Sequence, residues 1–201
     1  MTAWNLAIED NEAADNGPED NGPEDNGPED NGDEENGAED NELIAILRGL
    51  TPGRAEAVSD VLVEAGFRCI EVPLNSPKPL SSIEVIARKH GGNTVVGAGT
   101  VLNEAEVTEV VNAGGQIIVA PDLNSKVGHR AIALGAKWCP GVLTPSEAFA
   151  ALELGASILK FFPAELVSPA AIKAIRAVTP REANIAVVGR CGGGCDPRNH
   201  E

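Results

Sequence analysis

The chain has 201 residues and a formal net charge of −16, but residues 1–42 hold 16 of its 31 acidic residues and no Lys or Arg, which leaves 15 acids against 15 bases in the rest. That balanced remainder has no basic footprint for nucleic acid, and no apolar run reaches the ~20 residues that cross a bilayer. With no basic region or long apolar core at the N-terminus to suggest a leader, the expectation is a cytoplasmic protein with reduced thiols and neither nucleic-acid nor membrane partners.

The acidic segment carries a direct repeat. Asn-Gly-Pro-Glu-Asp occurs at 16–20, 21–25 and 26–30, then decays through Asn-Gly-Asp-Glu-Glu and Asn-Gly-Ala-Glu-Asp. Each unit joins a turn former to like charges and has nothing apolar to bury, so ordering it would go uncompensated. Residues 1–41 are therefore read as a disordered, solvating acidic extension.

From Leu43 the pattern changes. Short apolar runs alternate with helix-like stretches: runs at 43–47, 69–74, 94–98, 116–120, 136–139, 158–162 and 185–188, and helices at 52–65, 78–90, 104–113, 125–134, 145–154 and 169–178. Thr51 before Pro52 reads as an N-cap with proline at the first helical position. Glycines 66, 114, 135 and 155 follow helices as stops. Seven near-continuous apolar strands, each alternating with a helix, mean a parallel sheet covered by helices. No Gly-x-Gly-x-x-Gly follows the first run, which disfavours a dinucleotide-binding sheet. The even spacing favours a (β/α)8 TIM barrel, an α/β fold. Its eighth β/α unit is missing, because after Val188 the chain turns Gly- and Cys-rich. The expected organisation is an acidic tail at 1–41, an incomplete barrel at 42–190 and an irregular tail at 191–201.

Cys69 and Cys139 lie in apolar runs and read as small core residues, while Cys191 and Cys195 form a Gly-rich C-x3-C. No His/Cys cluster has zinc-ligand spacing, so no metal is expected.

The residue that organises the chemistry is Lys160, within Ile158-Leu159-Lys160-Phe161-Phe162. A lysine there is paired, snorkelling or neutral, and desolvation would make its amine a nucleophile. The plainer reading is a strand-end lysine that reaches solvent. Other polar residues sit at the ends of other runs: Arg48-Gly49, Glu71, Gly99-Thr100, Pro121 and Gly189. In a parallel barrel these ends converge. Lys160 can form an imine with a ketone, Glu71 can move protons, and Arg48 can bind an adjacent carboxylate in bidentate fashion. The amides after Gly99 and the Thr100 hydroxyl add hydrogen bonds. The set describes a 2-keto acid held as a Schiff base, with no cofactor.

Five motifs carry a family resemblance: Ile-Leu-Arg-Gly (46–49), Glu-Val-Pro-Leu-Asn-Ser-Pro (71–77), Gly-Ala-Gly-Thr-Val-Leu (97–102), Cys-Pro-Gly (139–141) and Leu-Lys-Phe-Phe-Pro-Ala-Glu (159–165). In order, from about Leu43 to Val188, the chain resembles the 2-keto-3-deoxy-6-phosphogluconate / 6-phosphogalactonate aldolase family. Asn75-Ser76-Pro77 resembles the phosphogalactonate branch more than the phosphogluconate branch, where an arginine is usual nearby. The resemblance implies a cofactor-free class I aldolase. It would reversibly cleave a 2-dehydro-3-deoxy-6-phospho-sugar acid to pyruvate and glyceraldehyde 3-phosphate, and it would act as a homotrimer. Lys160 would be the Schiff-base lysine and Glu71 the general acid/base. Arg48, Thr100 and Pro121 would lie around the pyruvate moiety, and Gly99 and Phe162 would also bind the substrate. The family's phosphate-holding Gly-Gly turn after strand seven is altered here, since Arg190 follows Gly189. Either Gly189 or the displaced Gly193-Gly194 would meet the phosphate through backbone N–H groups. Two other readings stay open at this stage: a catalytically impaired, truncated barrel persisting as a non-enzymatic fragment, and a phosphosugar isomerase or epimerase on a related barrel.

Overall fold

A computed structural model of the chain describes residues 43–189. The expected acidic tail and the Gly/Cys-rich tail lie outside the described residues. Eight short strands and six helices follow in order: β1 (Ile44–Ile46), α1 (Pro52–Glu64), β2 (Cys69–Pro73), α2 (Pro79–His90), β3 (Val95–Gly99), α3 (Glu104–Asn112), β4 (Ile117–Val119), α4 (Ser125–Ala133), β5 (Lys137–Cys139), β6 (Gly141–Val142), α5 (Pro145–Glu153), β7 (Leu159–Phe161), α6 (Pro169–Arg176) and β8 (Ile185–Val187). Every strand pair is parallel, in the orders β1-β2-β3-β4-β5 and β6-β7-β8.

The fifth apolar run, expected at 136–139, is β5, and Pro140 separates it from a further two-residue strand, β6, that was not expected. Proline has no N–H to give to a ladder. Its carbonyl still accepts from Lys160 N at 3.0 Å, and Trp138 O accepts from Ser157 N at 2.8 Å, so hydrogen bonding carries across the break from one sheet to the other.

Both faces of the sheet are buried, which is why the strands read as unbroken apolar runs. Ile70, Val72, Val96, Ala98, Ile118, Ala120 and Trp138 pack on the helix side, against Ala55, Leu62, Ile83, Ile86, Val107, Val110, Val127 and Ala131. The alternate positions Cys69, Ile117, Val119 and Cys139, with Ile44, Val95 and Ile158, form a separate inner cluster. A period of two puts Glu71 on the inner face with Cys69, and Lys160 there with Ile158.

Three local expectations are corrected. Thr51 occupies the N-cap of α1, but its hydroxyl accepts no capping bond. By contrast Thr144 forms a full capping box with Glu147. Lys78, expected to open α2, stands before it with φ +48, because the helix starts with the pre-set φ of Pro79. Helix ends fall one or two residues short of the expected ends at 65, 113, 134, 154 and 178.

Among the described residues no eighth repeat follows β8; β1 pairs only with β2, and β8 only with β7. Beside these two edges lies a cleft of about 990 Å³, lined by Ile46, Leu47, Arg48, Gly49, Phe162 and Gly189 among others.

Candidate active site

Lys160 is the middle residue of β7. Its strand neighbours Leu159 and Phe161 pack with the helix-side core, so alternation turns Lys160 inward, where it is only 7% exposed. The plainer reading, of a lysine reaching solvent, is thereby overturned. Its Nζ stands 4.9 Å from the centroid of the Phe162 ring, which is partly exposed at the cleft. Glu71 is the middle residue of β2, between the helix-side Ile70 and Val72, and is 5% exposed. Its Oε2 is buried without a hydrogen-bond partner among the described residues. A bare carboxylate oxygen in such a place is costly.

The sequence makes room for that carboxylate at Gly99. A side chain's first carbon at Gly99 would stand 2.3 Å from Glu71 Oε2, so any side chain on the neighbouring strand would force the carboxyl to move. Thr100 follows in the left-handed region, at φ +59, a strained setting for a β-branched residue. Pro121 follows β4, half-buried, with its carbonyl packed against the Gly141 backbone. Arg48 and Gly189 are brought to the same cleft from the ends of β1 and β8, 141 positions apart in the numbering.

The ionisable groups act on one another. Burial pushes the Glu71 carboxyl up from its ordinary 4.5 to about 7, against the pull of Lys160 and Arg48. Burial lowers the Lys160 amine, opposed by Glu71, Cys139 and Asp122, while Arg48 adds to the lowering. Burial raises the Cys139 thiol to about 12, so it stays neutral. A desolvated amine that shares the inner face with a carboxyl titrating near neutrality can attack a carbonyl and exchange protons with the adduct. The exposed Arg48 supplies a cation at the mouth.

Three contributors were not legible as such. Asp122 acts on Lys160 from the loop after β4, with no motif to mark it. Cys139 is the core residue expected, yet it also borders the amine. Ser76 was noted only as a marker of a family branch; its Oγ accepts a hydrogen bond from Gly49 N at 3.1 Å. Among the described residues no three His, Cys, Asp or Glu side chains are grouped to hold a metal ion.

An all-parallel sheet wrapped in helices, with its polar groups gathered at the C-terminal ends of the strands, is the arrangement of TIM-barrel enzymes. The model of the KDPG and KHG aldolase family matches residues 35–200. A probable 2-dehydro-3-deoxy-6-phosphogalactonate aldolase of Rhizobium meliloti (strain 1021) is 49% identical over 147 residues, 73% of this chain and 69% of that protein. The 2-dehydro-3-deoxy-6-phosphogalactonate aldolase of Escherichia coli (strain K12) is 44% identical over 157 residues, 78% and 75% of the two chains. A solved structure described as native KDPGal superposes with a TM-score of 0.71 at 44% identity, covering 73% of this chain and 71% of that one. The chain belongs to the KDPG and KHG aldolase family, a family of carbon–carbon lyases, and is similar to its phosphogalactonate members.

Proposed function

We propose that the chain is a class I aldolase that cleaves 2-dehydro-3-deoxy-6-phosphogalactonate, or its gluconate epimer, to pyruvate and glyceraldehyde 3-phosphate. The observation that carries this reading is the buried, mutually coupled pair of Lys160 and Glu71 on the inner face of the sheet. Lys160 Nζ adds to the C2 ketone, and loss of water leaves an iminium. Glu71 takes the proton of the C4 hydroxyl as the C3–C4 bond breaks. The electron pair passes into the enamine, and the aldehyde departs. Protonation of the enamine at C3 and hydrolysis then release pyruvate and restore the amine. Arg48 holds the carboxylate next to the ketone; Gly99, Thr100, Pro121 and Phe162 line the pyruvate moiety. Gly189 N–H meets the phosphate. The galactonate preference is supported by Asn75-Ser76-Pro77 and by the names of the relatives above. A homotrimer in the cytoplasm goes with this reading.

Pyruvate with borohydride should leave a permanent mass label on Lys160, and unlabelled Lys160 in folded protein refutes the role. Coupled pyruvate release from each C4 epimer then assigns the substrate. A second reading, of an impaired barrel, is favoured by one observation: among the described residues the facing edges of β1 and β8 are unpaired. It predicts a labelled Lys160 but no turnover of either epimer.

A further inference from the structure

Arg48 has an unusual mounting. Among the described residues its guanidinium makes no hydrogen bond or ion pair, so its aim depends on the backbone beneath it. That backbone is the exposed turn between β1 and α1, where Gly49 has φ +80. Three bonds hold the turn, the first from Leu47 N to Glu71 O on β2 at 2.9 Å. Leu50 N donates to Leu47 O at 3.2 Å, closing it on itself. Gly49 N donates to Ser76 Oγ at 3.1 Å, and this ties the residue that follows Arg48 to the loop beyond β2.

Ser76 is built to serve as that anchor. It is 7% exposed, whereas Asn75 and Pro77 on either side are exposed. Its own N donates to Pro73 O at 2.9 Å, fixing it one turn beyond β2, the strand that carries Glu71. Pro77 restricts its backbone further to extended conformations. A hydroxyl held at both ends of its own backbone therefore receives the N–H that follows Arg48. We infer that Ser76 is a positioning residue, which sets the guanidinium of Arg48 toward the carboxylate of the keto acid bound at Lys160. The inference rests on the aldolase reading and adds to it a residue that need not touch substrate.

The test is borohydride trapping of pyruvate, read as the pyruvate concentration giving half-maximal labelling of Lys160. Ser76→Ala removes the acceptor and leaves the space nearly unchanged. Its half-saturation should rise about five- to tenfold, the effect of losing one hydrogen bond, with the maximal labelling rate within about twofold. Ser76→Thr, which keeps the acceptor, should return the value toward wild type. Ser76→Cys, which fills the site with a weaker acceptor, should fall between and carries the comparison if the alanine variant does not fold. In an Arg48→Gln background Ser76→Ala should add nothing, because its effect passes through the guanidinium. An unchanged half-saturation in Ser76→Ala, or an equal shift with and without Arg48, overturns the inference and leaves the aldolase reading intact. Absence of label in wild type overturns both.

Discussion

Replacing Glu71 by Gln should make the protein more stable at alkaline pH while stopping its chemistry. The folded carboxyl titrates at about 7 against an ordinary 4.5, with burial the leading cause. Between those values the folded chain keeps a proton that the unfolded chain has already released, so stability falls as pH rises through the window. At 1.36 kcal/mol per unit the loss levels off at ~3 kcal/mol above neutrality, with only about 1 kcal/mol of it present at about pH 5. Gln does not ionise and escapes the loss. Urea unfolding of both proteins should therefore show the variant gaining ~2–3 kcal/mol on wild type between about pH 5 and about pH 8. Lys160→Met provides an independent check. Removing the ammonium takes away the stronger of the two interactions that hold the carboxyl down, so the pH-dependent loss should deepen and extend above about pH 7. A stability difference between Glu71→Gln and wild type that does not change with pH would refute the reasoning.

Two further outcomes follow from the strand beside Glu71. Gly99→Ala would set a methyl 2.3 Å from Glu71 Oε2; it should destabilise by ~1–3 kcal/mol in thermal unfolding and lower turnover at least about tenfold, since the carboxyl must move. Thr100→Gly relieves a β-branched residue held at φ +59, so it should leave stability unchanged or raise it by ~1 kcal/mol while the KM for the sugar acid rises.

The repeat pattern was legible because both sheet faces are buried. That makes each strand an apolar run, and prolines 52, 79, 145 and 169 mark the helix starts. Strands that depend on tertiary pairing were less legible. Gly141–Val142, just past Pro140, is too short to show as an apolar run and is a strand only because β7 lies alongside. Lys160 and Glu71 stood out as single charges within apolar strands, whereas Arg48 gained meaning only from the topology that joins distant strand ends. Ser76 had no signal of its own kind. Its role is one hydrogen bond across 27 positions, and a serine before a proline occurs in any turn.

The inner face also bears on why two buried charges are tolerated where a barrel interior is ordinarily filled by bulky branched side chains. Glu71 has Gly97 as its partner on β3, with Gly99 two positions on, so that side of the carboxyl faces bare backbone. Lys160 has Gly141 on one side and Ala186 on the other. A side chain at Gly97 or Gly141 would run into neighbouring backbone, at Ile117 O or Pro121 O, and one at Gly99 into the Glu71 carboxyl itself, while apolar Cys69, Ile117, Val119 and Cys139 form a cluster of their own. Packing of this kind seats the carboxyl closely and still leaves Glu71 Oε2 with the cost of an unmet hydrogen bond. An unpartnered carboxyl oxygen and a desolvated amine on one inner face make sense when a small polar guest supplies the missing partners, a ketone for the amine and a hydroxyl for the carboxyl.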